Sequence, residues 1–164
     1  MRDEREYFCD CVRQCEKGMY ALAYGILKNE EDAADIMQES IMKAYCNLDT
    51  LRDKKKFKPW MMSIVHNTAI EFVKKQKPTV DIETQWDLAE EESTIDAEAK
   101  LTVWEAVQKL KLPYRTIVVL FYYENCSVRQ IADITSASEP AVRQQLLRAR
   151  KMLSKLLNKE DFTA

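Results

Sequence analysis

From Cys15 onwards the chain repeats apolar residues at spacings of three and four: Met19, Leu22, Ala23, Ile26 and Leu27 share one helical face. Lys28-Asn29 breaks the pattern. Asn29 is suited to cap the next helix, and Glu30, Glu31 and Asp32 crowd its first turn, where the macrodipole favours acids. Ala33, Ile36, Met37, Ile41, Ala44 and Tyr45 then form an apolar stripe. Asp32, Asp35, Gln38 and Glu39 fall on the polar side and make a small acidic and amide surface.

Leu51 to Pro59 carries five basic residues with Phe57 among them. Pro59 disfavours helix at Lys58, so the spacing predicts a loop that enters a new helix at Trp60. That helix holds Met61, Ile64, Val65, Ala69 and Phe72 and ends in Lys74, Lys75, Gln76 and Lys77. Basic charge at a helix C-terminus is favourable by itself. Basic residues beside exposed aromatics are also what single-stranded nucleic acid requires, cations for phosphates and rings for bases.

Pro78 to about Asp96 lacks a helical period and reads as an extended or partly disordered acidic connector. A helix resumes near Ala97, with Leu101, Trp104, Val107 (or Val103) and Leu110 on one side, and Leu112-Pro113 ends it. Tyr114–Tyr123 is too apolar for any side to face water and is expected at the centre of a second core. Ser127 and Gln130 form a capping box that opens a short helix through about Ile134. The turn Thr135–Ser138 leads to another cap with Pro140 in the first turn. Val142, Leu146, Ala149, Leu153 and Leu156 then alternate at four and three. Two short helices, a tight turn and a basic second helix make a helix-turn-helix. Arg143, Gln144, Gln145, Arg148, Arg150 and Lys151 lie off its apolar stripe, where Arg and Gln suit base edges and Lys suits phosphates.

Composition narrows the chemistry. The 164 residues include 2 Gly and 1 His, so glycine-rich phosphate loops, the nucleophile elbow and histidine-rich metal sites are excluded. Five Cys without a CxxC pair read as reduced thiols, with a zinc site on Cys9, Cys11, Cys15 and His66 as the competing arrangement. The longest apolar run, Ile117–Tyr123, cannot span a bilayer. The charged N-terminus carries no signal segment, so a cytoplasmic protein is expected, without membrane insertion. The net charge of −2 averages unlike parts: residues 1–78 carry +1, residues 79–103 carry −7 and residues 104–164 carry +4. This division suggests two modules and a linker, with nucleic acid as a candidate partner. The expected fold is all-α: two small helical domains, an acidic flexible linker, and a helix-turn-helix in the C-terminal domain.

Taken together, the two modules resemble an extracytoplasmic-function (ECF) sigma factor of bacterial RNA polymerase. The resemblance is carried by Asp32-Ala-Ala-Asp35-Ile-Met-Gln38-Glu39 with Ile41-Met-Lys-Ala-Tyr45, by Phe57-Lys-Pro-Trp60-Met-Met-Ser-Ile-Val-His-Asn67, and by Leu112-Pro113-Tyr-Arg115, Ser127-Val-Arg-Gln-Ile131-Ala132 and Arg148-Ala149-Arg150. It implies a sigma region-2-like domain over 1–78, a linker over 79–100 and a region-4-like domain over 101–164. Asp32, Asp35, Ile36, Gln38 and Glu39 would dock on the clamp helices of core polymerase. The loop Leu51–Lys58, with Lys54, Lys55, Lys56, Phe57 and Lys58, would capture a base flipped from the minus-ten element. Trp60 and Asn67 would support it, and Lys74 and Lys75 would bind backbone. Pro140, Arg143, Gln144, Leu147, Arg148 and Lys151 would meet the minus-thirty-five element, and the same domain would touch the polymerase flap. An anti-sigma factor is the further partner implied; no cofactor, metal or catalytic residue is. Two departures from the family's pattern stand out: Pro140-Ala-Val-Arg-Gln-Gln145 replaces a Gly-Thr-Val-Lys-Ser-Arg-like string, and Gln130 replaces the usual Glu.

The competing class is a one-component regulator, which would bind duplex DNA tightly and specifically without polymerase. It would need a ligand domain, and the first module has no pocket signature. An enzyme fares worst, since no nucleophile, base and oxyanion donor can be assembled from these residues.

Overall fold

The computed structural model describes residues 3–76 and 102–157, and the segment read as the acidic linker (79–100) lies outside them. Among the described residues every regular element is helical: α1 (Glu4–Leu27), α2 (Glu30–Cys46), α3 (Phe57–Gln76), α4 (Val103–Lys109), α5 (Tyr114–Val118), α6 (Val128–Thr135) and α7 (Glu139–Leu156).

The first module is a three-helix unit. Phe8, Val12, Cys15, Met19, Leu22, Ala23 and Ile26 run as one buried stripe along α1, extending the periodicity a full two turns N-terminal of Cys15. The helix stops where Lys28 turns left-handed (φ 53°) and donates its N–H to the Tyr24 carbonyl. Asn29 then caps α2, its side chain accepting from the Asp32 N–H at 3.0 Å. Glu30, Glu31 and Asp32 fill the acid-favouring first turn. A single-turn 3₁₀ helix, Lys54–Lys56, leads into α3.

Helix α3 begins at Phe57 rather than Trp60. Pro59 falls in its first turn, where a missing N–H breaks no helical hydrogen bond, so Lys58 joins the helix despite the following proline. Met61, Met62, Val65 and Ala69 are fully buried on α3.

In the second module Thr102 and Glu105 form a capping box that opens α4. The spacing Thr-x-x-Glu signals this start in the sequence, and the stretch from Ala97 to Leu101, where periodicity has the helix resume, lies outside the described residues. Helix α5 widens into a π turn over Val119–Tyr123. This change of pitch overturns one expectation, because Tyr122 and Tyr123 emerge onto the surface although the run is apolar throughout. Ser127 and Gln130 form the expected capping box of α6, so Gln130 does the work of the usual Glu there. Ser136 is left-handed (φ 56°), Ser138 caps α7, and Pro140 sits in the first turn.

The two helical units pack on one another. One continuous core joins Met19, Leu22 and Val65 of the first to Ile117, Leu120, Ile131 and Leu146 of the second. A smaller cluster (Val107, Tyr114, Val118, Ala149 and Leu153) holds α4, α5 and α7 together. Helix α6 has only eight residues, too few to persist alone, and its apolar face is completed by α3.

Two polar contacts lock the pairing. Arg115 on α5 is buried, and its guanidinium donates to the carbonyls of Gly25, Ile26 (3.4 Å) and Leu110 (2.7 Å). The Gly25 and Ile26 carbonyls belong to the last turn of α1, which has no intrahelical donor and carries the negative end of the dipole. No basic residue of α1 occupies that turn, so the second module supplies the cation. Lys28 reaches back and donates to the Gln108 carbonyl of α4. Burial lowers the Arg115 pKa to about 10, which leaves it charged at neutral pH.

At the other contact Glu124 lies flat on α1. A Cβ at Gly18 would stand 1.7 Å from its Oε1, so the carboxylate occupies the space that glycine leaves open. Lys58 of α3 approaches Glu124 at 3.9 Å. Desolvation pushes the Glu124 carboxyl up, and Lys58 offsets this only in part.

Removing the guanidinium orphans three buried carbonyls. Arg115→Leu is expected to cost about 2–4 kcal/mol of stability, and Arg115→Lys, lacking the planar fork, recovers only part of that. Urea unfolding of the three proteins measures both values.

Because the folded-state pKa of Glu124 is raised, its protonated form is favoured by folding. That contribution is present below the ordinary carboxylate pKa and is lost as pH rises through the folded-state value. Glu124→Gln therefore removes one downward component from the stability–pH curve between mildly acidic and neutral pH, as read by urea unfolding at a series of pH values.

Candidate polymerase and nucleic-acid interfaces

Three surfaces carry the residues singled out in the sequence. On α2, Asp35, Gln38 and Glu39 are exposed and Asp32 is half-buried beside its cap. Ile36 is in the core at 1 % exposure, so it supports this face from beneath and offers no surface to a partner. Two residues join the face that periodicity alone did not assign to it. Met42 is 69 % exposed, and Tyr45, expected in the buried stripe, is 50 % exposed with its edge against the Phe8 ring at 5.3 Å. Helical spacing aligns Asp35, Gln38, Met42 and Tyr45, giving an acidic face that ends in an apolar tip. Glu39 pairs with Lys43 at 3.2 Å, and Lys43 also reaches Glu71 of α3 at 3.5 Å. These exposed pairs fix the α2–α3 register more than they stabilise it.

The second surface is the basic loop and the outer side of α3. Lys54, Lys55 and Lys56 are exposed on their single 3₁₀ turn, which Asp53 caps by accepting from the Lys55 N–H at 3.0 Å. Phe57 is not available to stack on a base: it is buried, against Phe8 at 6.0 Å, Tyr7 at 6.5 Å and Trp60 at 5.6 Å. The burial follows from its position as the first helical residue, which turns the ring inward and anchors the loop. Lys58 is half-buried and directed to Glu124, away from the three exposed lysines. Trp60 is half-buried, and Asn67, Lys74 and Lys75 are exposed. Trp60, Asn67 and Lys74 recur every seven residues and share one stripe of α3, about 21 Å long at 1.5 Å per residue. His66, beside Asn67, has its pKa lowered by desolvation and is neutral at physiological pH. Its Nδ1 lies 3.5 Å from the Asn67 Oδ1.

The third surface is α7. Pro140, Arg143, Gln144, Leu147, Arg148 and Lys151 are all exposed and recur at three- and four-residue steps. Leu147 is 52 % exposed although it is apolar. The opposite face (Val142, Leu146, Ala149 and Leu153) is buried, so packing fixes which side of the helix is presented. Gln145 turns partly inward, and its Oε1 is buried. Arg150 is engaged elsewhere: its Nε donates to the Tyr122 hydroxyl at 2.5 Å and its guanidinium lies over the Phe121 and Tyr122 rings. Trp104 stands edge-on to Tyr123 at 5.0 Å, which completes an exposed aromatic patch around the π turn.

All five cysteines are free thiols, and among the described residues no cluster of His, Cys, Asp or Glu could hold a metal. Burial pushes the Cys15 and Cys126 thiols up, away from reactivity. No helix among the described residues is long and apolar enough to cross a membrane.

Comparison with known proteins identifies the family. The sigma-70 region 2 family model matches residues 11–79, and a sigma-70 region 4 model matches residues 100–153. The chain is 35 % identical over 155 residues to the RNA polymerase sigma factor SigV of Bacillus subtilis, covering 93 % of this chain and 92 % of that protein. It is 28 % identical to the ECF RNA polymerase sigma factor SigW of the same organism, covering 95 % and 91 %. Among solved structures, the sigma factor RpoE in complex with the anti-sigma factor NepR from Bartonella quintana superimposes with a TM-score of 0.71 at 18 % identity, covering 91 % of this chain and 95 % of that one. CnrH in complex with the cytosolic domain of CnrY gives a TM-score of 0.63 at 23 % identity, covering 91 % and 86 %. These two likenesses concern the fold. With both halves matched in order and a relative aligned along nearly its whole length, the chain belongs to the ECF sigma factors, alternative RNA polymerase subunits that direct transcription to specific promoters.

Proposed function

We propose that the two modules divide promoter recognition between them, residues 1–78 serving core polymerase and the minus-ten element and residues 101–164 the minus-thirty-five element, with 79–100 as the connector. The observation that carries this reading is α7. Its one free face displays two arginines, a glutamine and a lysine, the side chains that suit guanine, adenine and phosphate in a major groove. The acidic face of α2, tipped by Met42 and Tyr45, is the docking surface for the clamp helices of core polymerase. The aromatic patch at Tyr122 and Tyr123 is the apolar surface available to the flap. Lys54, Lys55 and Lys56 with the α3 stripe engage the minus-ten strand, Phe57 acting from within the core as their anchor. The chain contributes no catalytic group, since nucleotide addition belongs to the polymerase, and it acts in the cytoplasm. An anti-sigma factor is the regulatory partner, a reading supported by the solved sigma factor that carries the anti-sigma factor NepR.

This reading sets a geometric requirement. Two elements about 25 base pairs apart are separated by roughly 85 Å of duplex, at about 34 Å per turn. In the closed chain α3 and α6 touch, so their axes lie about 8–10 Å apart. The modules must therefore separate to read both elements. The 25 residues from 77 to 101 reach at most about 90 Å when extended, enough for that separation. Dyes on α2 and α7 are expected to transfer energy efficiently in the free protein and poorly in the promoter-bound holoenzyme. Efficient transfer in both states would overturn the divided reading.

Two substitutions test the surfaces themselves. Arg148→Ala is expected to lower discrimination for the cognate promoter by about 1–3 kcal/mol, measured by competition between cognate and scrambled minus-thirty-five sequences in transcription. Asp35→Arg is expected to abolish binding to core polymerase with helicity unchanged by circular dichroism. Unfolding of this variant would instead assign Asp35 a structural role.

A further inference from the structure

Helix α1 meets the basic loop through Tyr7 and Phe8: Phe8 packs on Phe57, while Tyr7 reaches the lysine turn itself. Tyr7 lies on the second turn of α1, ahead of the segment matched by the region 2 family model. Its hydroxyl donates to the Lys54 carbonyl at 3.2 Å, across 47 residues of sequence. The Lys54 ammonium stands 4.9 Å from the centre of its ring. Its ring edge also meets Phe57, at 6.5 Å and 79°. One tyrosine thus touches the backbone, a cation and the aromatic anchor of the same short turn.

The turn needs an external tie. Lys54, Lys55 and Lys56 repel one another, and ordering each residue costs about 1–2 kcal/mol of backbone entropy. Its internal bonds are few: Lys56 N–H to the Asp53 carbonyl at 3.0 Å, Lys55 N–H to the Asp53 side chain, and Phe57 N–H to the Lys54 carbonyl. The Tyr7 hydroxyl takes the second lone pair of that Lys54 carbonyl, so the turn is held from both sides. Burial, Cys11 and Asp53 together push the Tyr7 pKa up to about 12, which keeps the hydroxyl a donor at every pH at which the protein works.

We propose that Tyr7 is a positioning residue for promoter melting: it holds the Lys54–Lys56 turn in the conformation that receives the minus-ten strand. Lys54 is partly spent on the tyrosine ring, while Lys55 and Lys56 remain directed to solvent for phosphate. The inference rests on the reading of this loop as the minus-ten contact, and the experiment separates failure of one from failure of the other.

Holoenzymes carrying the native chain, Tyr7→Phe, Tyr7→Ala, or the double variant Lys55→Ala/Lys56→Ala are assembled on a cognate promoter with a fluorescent base analogue in the minus-ten element. Opening rates are read on fully paired promoter and on the same promoter with the minus-ten region mismatched in advance. Affinity for core polymerase is measured in parallel. Tyr7→Phe, which loses only the hydrogen bond, is expected to slow opening of paired DNA about 2–10-fold, and Tyr7→Ala to slow it further. Both deficits should be smaller on the mismatched promoter, where pairing no longer has to be broken, with core affinity unchanged. Equal losses on both templates, or weakened core binding, would mark Tyr7 as a general structural residue and overturn the proposal. Native opening rates in both tyrosine variants, with slow opening in the double lysine variant, would overturn it while leaving the loop reading intact. A native rate in the double lysine variant would overturn the loop reading, and the role of Tyr7 with it. Should Tyr7→Ala fail to fold, Tyr7→Phe carries the test alone, because phenylalanine keeps the ring contacts.

Discussion

The closed arrangement depends on a buried arginine that has no acid against it among the described residues. Arg115 completes the C-terminus of α1 from the opposite module, satisfying carbonyls that a helix cannot satisfy for itself. The same side chain bonds the Leu110 carbonyl, at the end of α4. It therefore fixes the end of the longest helix, the turn between α4 and α5 and the distance between the modules in one contact. Lys28 adds a second cation at the same place, its pKa lowered by burial first and by Arg115 and Lys109 after it. Two cations beside one another are tolerated there because the last carbonyls of α1 concentrate negative partial charge.

The interface that this contact organises leaves the proposed reading surfaces free. Core packing takes Val142, Leu146 and Leu153 on α7 and Met62, Val65 and Ala69 on α3, which turns Arg143, Arg148 and Asn67 outward. Packing and recognition use opposite faces of the same helices, a separation that the 3.6-residue period produces without further design. The overall charge of −2 obscures this, since the basic residues gather on the loop, on α3 and on α7 while the acids gather on α2 and in residues 79–103.

Local signals were legible in the sequence, and long-range ones were not. Asn29, the Ser127–Gln130 box and Pro140 mark helix starts through chemistry confined to three or four residues, and each start is observed. The exposed face of α7 follows from its apolar stripe alone. By contrast, the α1 partners of Arg115 lie 89 and 90 residues away, and no local pattern encodes them. Gly18 reads as a weak point in a helix until Glu124 is seen to occupy the space of its missing side chain. Phe57 among lysines suggests a ring for stacking, yet the helix starts at that residue and folds the ring inward. Tyr122 and Tyr123 are exposed because the backbone changes pitch, which apolar content cannot reveal.

On the proposed reading the chain must both close and open, which needs an interface strong enough to form and weak enough to release. The apolar part favours closure, as Ile131 and Leu120 are withdrawn from water. The polar part limits that gain. Glu124 is held partly desolvated with a single distant cation. On separation, water would rehydrate the Glu124 carboxylate and bond the α1 carbonyls that Arg115 leaves, while the guanidinium regains its own hydration. A carboxylate opposite Arg115 would not by itself tighten the latch, because desolvating a buried ion pair offsets much of its Coulombic gain. Carbonyls as acceptors keep the contact specific in direction and leave no second buried charge, the combination that the proposed closed and extended forms require.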